Sequence, residues 1–274
     1  VIILLRTLAS LMEGQPGSPE TWLTGALVWL GVLISVALLA TLFLVRERRP
    51  EPRFHPPLGT ALAKAFTIDF KARRDFLWFL GSRLLILMAL GTLQTYAFFY
   101  LRDVLKVSAP AAATSDFVIA AGAGMLVSIY AAARASDRLG RKPVLIASGL
   151  LGIAAVALLL WAKDYQVVVA SSAMVGISAG SFVSTNWALA TDLVPKGEEA
   201  RYLGLTNVAS AWGGALSRLV GPGIDYLNGR SAGLGYTAML WLVGFYFVAG
   251  TGLMIMLRSK TQSAEISSEA STAP

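Results

Sequence analysis

The chain has 274 residues, of which 55% are hydrophobic and only 14% are charged, and its mean hydropathy is +0.64. Soluble domains carry roughly a quarter charged residues, so this composition argues against a water-soluble fold. No cysteine is present, which excludes disulfide frameworks, thiolate metal sites and cysteine nucleophiles.

The formal net charge of +7 could indicate a nucleic-acid ligand. The basic residues, however, flank apolar blocks and do not cluster on one face, so membrane topology explains them better than nucleic acid does. The single histidine, His55, lies in a proline-rich stretch, which is typical of a solvated linker rather than of a metal ligand or a catalytic base. We therefore predict no metal site, no cofactor and no enzymatic activity.

Seven blocks of the chain are long and apolar enough to cross a membrane. A helix needs about 20 apolar residues to cross a hydrocarbon core of about 30 Å. In chain order the blocks are 22–45, 76–101, 114–133, 143–162, 165–190, 203–224 and 236–257. We therefore predict an all-α integral membrane protein surrounded by a lipid bilayer.

The opening apolar run, residues 1–11, would rise only about 16 Å as a helix, which is too short to cross. We interpret it as the end of a span whose beginning is missing. On this interpretation the chain is a fragment, and the missing N-terminal half of the protein is its partner.

The positions of lysine and arginine predict the orientation. Cytoplasmic loops of membrane proteins carry an excess of these residues. Most of the 23 lysines and arginines fall on the cytoplasmic side if the C-terminus is cytoplasmic. The sequence thus predicts a multi-pass protein of the cytoplasmic (inner) membrane with its C-terminus in the cytoplasm.

Loop length divides the chain. Residues 46–75 form a long connection, which begins with prolines and continues as a mixed apolar and basic segment typical of a helix on an anionic leaflet. We assign 1–45 to the end of an N-terminal bundle, 46–75 to a cytoplasmic central loop and 76–258 to a C-terminal six-helix bundle. The tail, 259–274, is rich in Ser, Thr, Ala and Glu and is predicted to be disordered.

Between the third and fourth predicted spans lies the sequence Ala133-Arg-Ala-Ser-Asp-Arg-Leu-Gly-Arg-Lys-Pro143. It resembles the cytoplasmic loop signature of the major facilitator superfamily, Gly-x-x-x-Asp-Arg-x-Gly-Arg-Lys, with Ala133 replacing the first glycine. The matching residues are Asp137, Arg138, Gly140, Arg141 and Lys142. A plain basic loop would explain the cations but neither the aspartate nor the glycine.

Residues 191–207 and 99–103 look like the glycoside and sucrose cation symporter branch of that superfamily. The resemblance covers residues 76–257. It implies twelve helices in two six-helix halves, around a central cavity that opens to each side in turn. Taken literally, this chain supplies the end of helix five, helix six, the central loop and helices seven to twelve.

The five signature residues are also predicted to form a conformational gate. Gly140 would permit a tight turn of positive φ, and Asp137 would accept hydrogen bonds from arginine side chains or from a helix N-terminus. Asp192 and Arg201, with two glutamates between them, would add an ionic network at the cytoplasmic ends of two spans. The alternative is simple placement of charges at helix ends.

Polar side chains inside spans are costly and usually face a cavity or another helix. Arg83 and Gln94 are eleven residues apart and so lie on nearly the same face of a helix, and Asn207 and Arg218 repeat this spacing. The predicted substrate-binding residues are Arg83, Gln94, Tyr96, Asn186, Asn207 and Arg218.

Each assignment has an alternative. The two arginines could snorkel towards the membrane surfaces or form an ion pair. Asn186 could hydrogen-bond a neighbouring helix, and Tyr96 could pack or lie in an interface belt. Small residues on the 165–190 span, among them Gly176 and Gly180, favour close helix packing over substrate contact.

The resemblance, together with these polar positions, implies secondary active transport of a small polar solute, a sugar, by alternating access. No Asp or Glu lies deep in a predicted span, so the residues for a co-transported proton or sodium ion are not found in this chain. Two alternatives remain open. One is efflux of a drug-like compound, and the other is a membrane receptor or scaffold that does not transport.

Overall fold

The computed structural model describes residues 19–44, 74–162, 164–194 and 197–257. Within these ranges the chain is helical apart from short turns. The helices are α1 (Pro19–Leu44), α2 (Arg74–Asp103), α3 (Pro110–Leu139), α4 (Arg141–Trp161), α5 (Tyr165–Leu193), α6 (Glu199–Arg218), α7 (Gly221–Asn228) and α8 (Leu234–Met256). The predicted all-α fold is confirmed.

The chain divides into two compact units, Val1–Thr60 and Ala61–Pro274. Helix α1 lies in the first unit, and helices α2 to α8 lie in the second. The predicted stub at 1–11, nearly all of the predicted central loop and the predicted tail lie outside the described residues. The domain assignment of those segments stays a prediction.

Five of the described helices are long and apolar enough to cross a membrane: Arg74–Asp103, Ala112–Leu139, Arg141–Trp161, Tyr165–Leu193 and Leu234–Met256. Helix α1 contributes a shorter apolar stretch, Leu27–Phe43. Large apolar side chains on the spanning helices face outwards, and Leu126 and Trp161 are 75% and 76% exposed. Such a surface is unstable in water and is expected where the surrounding medium is lipid.

Helices α2 to α8 share an apolar core. Helix α5 packs against α3 and α4, while α8 packs against α2 and α4, and α2 packs against α6. Phe79 on α2, Phe182 on α5 and Phe247 on α8 are fully buried in this core.

The α3–α5 contact depends on small residues. A Cβ atom at Gly176 would collide with the carbonyl group of Ala121, and one at Gly180 would collide with Ser128 and Met125. Helix backbones can approach this closely only where no side chain intervenes. The packing interpretation of the small residues on this span is therefore confirmed for these two glycines.

The predicted single span over 203–224 is wrong in one respect, because a break divides it into α6 and α7. Helix α6 ends at Arg218, Leu219 and Val220 form a turn, and α7 begins at Gly221. The cause lies in the sequence Gly221-Pro222-Gly223. Pro222 has no N–H to donate to the carbonyl of Arg218 four residues earlier, and its ring collides with that carbonyl in a continuous helix.

Candidate functional site

A buried arginine joins three helices of the bundle. Arg83 on α2 is only 5% exposed. Its Nε donates to Oγ of Ser210 on α6 at 2.9 Å, and its Nη1 donates to Oδ1 of Asn186 on α5. Its guanidinium carbon lies 4.6 Å from the ring centroid of Trp187. Arg83 is thus held inside the bundle and does not snorkel to a surface.

The partners of Arg83 are all neutral. Within the described ranges no ion pair joins its guanidinium to a carboxylate. A buried charge is costly unless hydrogen bonds and nearby dipoles replace its hydration. Asn186 and Ser210 supply two of those hydrogen bonds, and the face of Trp187 supplies a cation–π contact. The cluster therefore keeps a net positive charge.

The side-chain amide of Asn186 has a hydrogen-bond donor that is not used. Its side chain is fully buried, and its Nδ2 has no hydrogen-bond partner among the described residues. A buried amide N–H without a partner costs about 1–3 kcal/mol. An acceptor from a bound solute or a water molecule would remove that cost.

At one end of the bundle, the signature loop forms a clasp around one arginine. Gly140 lies between α3 and α4 with a φ of +92°, so the predicted positive φ is confirmed. Arg141 pairs with Asp137 at 2.7 Å, donates to Ser136 at 2.8 Å and reaches Asp192 on α5 at 3.4 Å. Arg141 therefore joins α3, α4 and α5.

The neighbouring lysine extends this clasp to a fourth helix. Lys142 donates from Nζ to the carbonyl of Leu257 at 2.7 Å, just after the last residue of α8. Arg138 is exposed to the surroundings. The loop thus contacts the ends of α3, α4, α5 and α8 through three of its five signature residues.

The second predicted ionic group lies at the start of α6. Arg201 pairs with Glu198 at 3.1 Å. The backbone N–H of Gly197 donates to the Glu199 carboxylate at 2.8 Å and lowers the pKa of that carboxyl from its usual value. The Arg201–Glu198 pair is partly exposed, so it contributes about 0–1 kcal/mol.

Comparison with known proteins decides the family. The family model described as Major Facilitator Superfamily matches residues 8–217 and, in a second overlapping match, residues 111–272. Together the two matches cover most of the chain. The chain belongs to the major facilitator superfamily.

One curated protein similar to this superfamily chain is the minor myo-inositol transporter IolF of Bacillus subtilis (strain 168). It is 28% identical over 108 residues, which make up 39% of this chain and 24% of that transporter. The aligned segment thus spans about a quarter of the relative's length. Placement in the glycoside and sucrose cation symporter branch stays a prediction.

The structure places Gln94 apart from the Arg83 cluster, whereas Asn207 lies three residues before Ser210 on α6. Gln94 on α2 and Asn207 on α6 are both exposed. Gln94 lies eleven residues beyond Arg83, which corresponds to about 16 Å along a helix. These two amides therefore belong to the exposed faces of α2 and α6, whereas Asn186 belongs to the buried cluster.

Tyr96 and Arg218 meet at the helix break. The hydroxyl of Tyr96 donates to the backbone carbonyl of Arg218 at 2.7 Å, and this is the carbonyl that Pro222 leaves without a helical partner. The side chain of Arg218 is exposed. Sequence reasoning missed this contact, although a proline four residues after Arg218 signals a free carbonyl that requires a donor.

This arrangement gives a stability prediction. Tyr96→Phe is expected to lower the free energy of unfolding by about 1 kcal/mol, because the Arg218 carbonyl loses its donor. In a Pro222→Ala background the loss should be smaller, since the amide N–H of residue 222 can then bond to that carbonyl. The measurement is a double-mutant cycle on the detergent-solubilised protein.

Tyr130→Phe is the matched control, because Tyr130 is 72% exposed on α3. It should leave the unfolding midpoint unchanged. An equal effect of Tyr96→Phe with and without Pro222 would contradict the assignment of the hydroxyl to the broken helix.

Proposed function

We propose that this protein carries a small polyhydroxylated solute, a sugar or a cyclitol, across the cytoplasmic membrane by alternating access. Membership of the superfamily and the similarity to a myo-inositol transporter support transport. The observation that carries the proposal is the Arg83 cluster, a fixed polar group inside an apolar bundle. Ionisable side chains within membrane spans are costly and commonly mark a solute pathway.

Hydroxyl groups fit the donors and acceptors available. The guanidinium of Arg83 and Nδ2 of Asn186 can donate to a hydroxyl oxygen, and the side-chain oxygens of Gln94 and Asn207 can accept from a hydroxyl. Trp187, which is 39% exposed, offers a face for the apolar side of a sugar ring. We propose that the solute is bound by Arg83 and Asn186 and meets Gln94 and Asn207 on its way.

The same proposal includes the orientation of the bundle in the membrane and the ion that drives transport. The end of the bundle with Gly140 and Leu257 would face the cytoplasm, since the signature loop carries much of the basic charge. Energy would come from a co-transported proton or sodium ion. Within helices α2 to α8 the acidic residues lie near helix ends, in turns or in the short α7, so we assign no coupling acid to them.

The solute path predicts a change in apparent affinity. Gln94→Ala and Asn207→Ala should each raise KM about tenfold, because the loss of one hydrogen bond to the solute corresponds to about 1.4 kcal/mol. The measurement is uptake of labelled sugars and cyclitols by cells that express the gene. Gln166→Ala, which removes an exposed amide at the start of α5, is the matched control and should leave KM unchanged.

If both variants insert properly and retain the wild-type KM for every solute carried, the assignment of these two residues is wrong. A parallel panel of amphipathic drug-like compounds tests the efflux alternative. Solute-dependent signalling without flux into proteoliposomes would favour a receptor.

The clasp around Arg141 predicts a change in turnover. Asp137→Asn and Asp192→Asn each remove one ion pair that holds α3, α4 and α5 together in this conformation. We expect Vmax to change about two- to fivefold while KM stays constant, because each ion pair contributes about 1 kcal/mol or less to the stability of this conformation. The matched control is Arg134→Gln, at an exposed position on the same turn of α3, which should leave Vmax unchanged. A wild-type Vmax in both aspartate variants would refute the prediction that the clasp around Arg141 acts as a conformational gate.

A further inference from the structure

A cavity of about 430 Å³ lies beside the helix break, between the end of α2, helix α7 and the start of α8. Seven of its lining residues carry aromatic or polar side chains: Tyr96, Phe99, Arg102, Asp103, Asp225, Asn228 and Tyr236. Tyr96 lies thirteen residues after Arg83 on α2, or roughly 20 Å along the helix. The cavity is therefore distinct from the Arg83 cluster.

Internal contacts fix most of the polar wall. Arg102 pairs with Asp103 at 2.5 Å, and its guanidinium carbon lies 5.3 Å from the ring centroid of Phe99. The hydroxyl of Tyr236 donates to the other oxygen of Asp103. Oδ1 of Asn228 accepts from the backbone N–H of Gly235 at 2.9 Å. The wall is thus ordered before any ligand arrives, which lowers the entropic cost of binding.

Asp225 differs from these residues. Its side chain is exposed, and within the described ranges its carboxylate makes no hydrogen bond and no ion pair. It therefore offers acceptor oxygens to a ligand, next to the Nδ2 donors of Asn228. With Arg102 and Asp103 it gives the lining one excess negative charge, which disfavours anionic ligands.

We propose that this cavity is a second binding site for a neutral polyhydroxylated solute, which is loaded there before it reaches the Arg83 cluster. Solute hydroxyls would donate to Asp225 and accept from Asn228. The apolar face of the ring would pack against Tyr96, Phe99 and Tyr236, which form an aromatic wall on two sides of the cavity. The choice of ligand class rests on the proposed function, whereas the existence of the site rests on the cavity.

The absence of cysteine from the sequence allows a direct test. Phe99→Cys places one thiol on the cavity wall, and Ala112→Cys places one at an exposed position at the same end of the bundle. The protein is purified from the expressed gene, placed in nanodiscs and treated with a maleimide. The labelling rate is measured with myo-inositol, glucose or sucrose, and separately with choline as an organic cation.

At least one of the three polyols is expected to slow labelling of Phe99→Cys threefold or more, and none should affect Ala112→Cys. When Asp225→Asn is added to Phe99→Cys, the polyol concentration that gives half of the protection should rise about tenfold. Adding Asp116→Asn, the matched loss of a carboxylate at the same end, should not change it. Asn207→Ala should also leave protection unchanged, because that residue is not part of the lining of this cavity.

Three results would overturn the proposal: protection by none of the polyols, protection by choline alone, or equal loss of protection in Asp225→Asn and Asn207→Ala. The last would show that protection reports the other site. Failure of the proposed function would be seen in the uptake assay and not in the labelling assay. In that case the wild-type protein takes up none of the polyols, whether or not Phe99→Cys is protected by them.

Discussion

The constraint on which the structure depends is that lipid offers no hydrogen bonds. Each polar group within the membrane must therefore find its partner inside the protein. Thr92 and Thr206 meet this constraint locally, since each hydroxyl donates to the carbonyl four residues earlier in its own helix. Tyr96 meets it across helices, because it donates to the carbonyl that Pro222 frees. A break that would be costly in an isolated helix is thereby stabilised within the bundle.

A few buried polar groups of the described residues do not have a hydrogen-bond partner inside the protein. Among the described residues, four buried side-chain atoms lack a partner: Oγ of Ser82, Oγ1 of Thr185, Nδ2 of Asn186 and, on α8, Oγ1 of Thr251. Ser82 adjoins Arg83 in the sequence, and Thr185 adjoins Asn186. Three of these four atoms thus belong to Asn186 or to residues next in sequence to Arg83 and Asn186. On the proposed function, such atoms would form hydrogen bonds with the solute that they do not form within the protein.

Sequence patterns predicted the helices well, because in lipid a run of about 20 apolar residues has few alternatives to a spanning helix. They also predicted the positive φ of Gly140 and the pairing of Asp137 with an arginine, since both depend on local spacing. They failed where partners are distant in the chain. No periodicity reveals that Arg83 contacts Asn186 and Ser210, and the break before α7 was missed because Pro222 was counted within an apolar run.

The claim that most directly supports the whole account is that these helices cross a membrane. It can be tested with single cysteines at Ser108, between α2 and α3, and at Leu139, at the end of α3, using a maleimide that cannot cross membranes. The account predicts that Ser108→Cys is labelled in intact cells and that Leu139→Cys is labelled only after permeabilisation. Equal labelling of both positions in intact cells would contradict it.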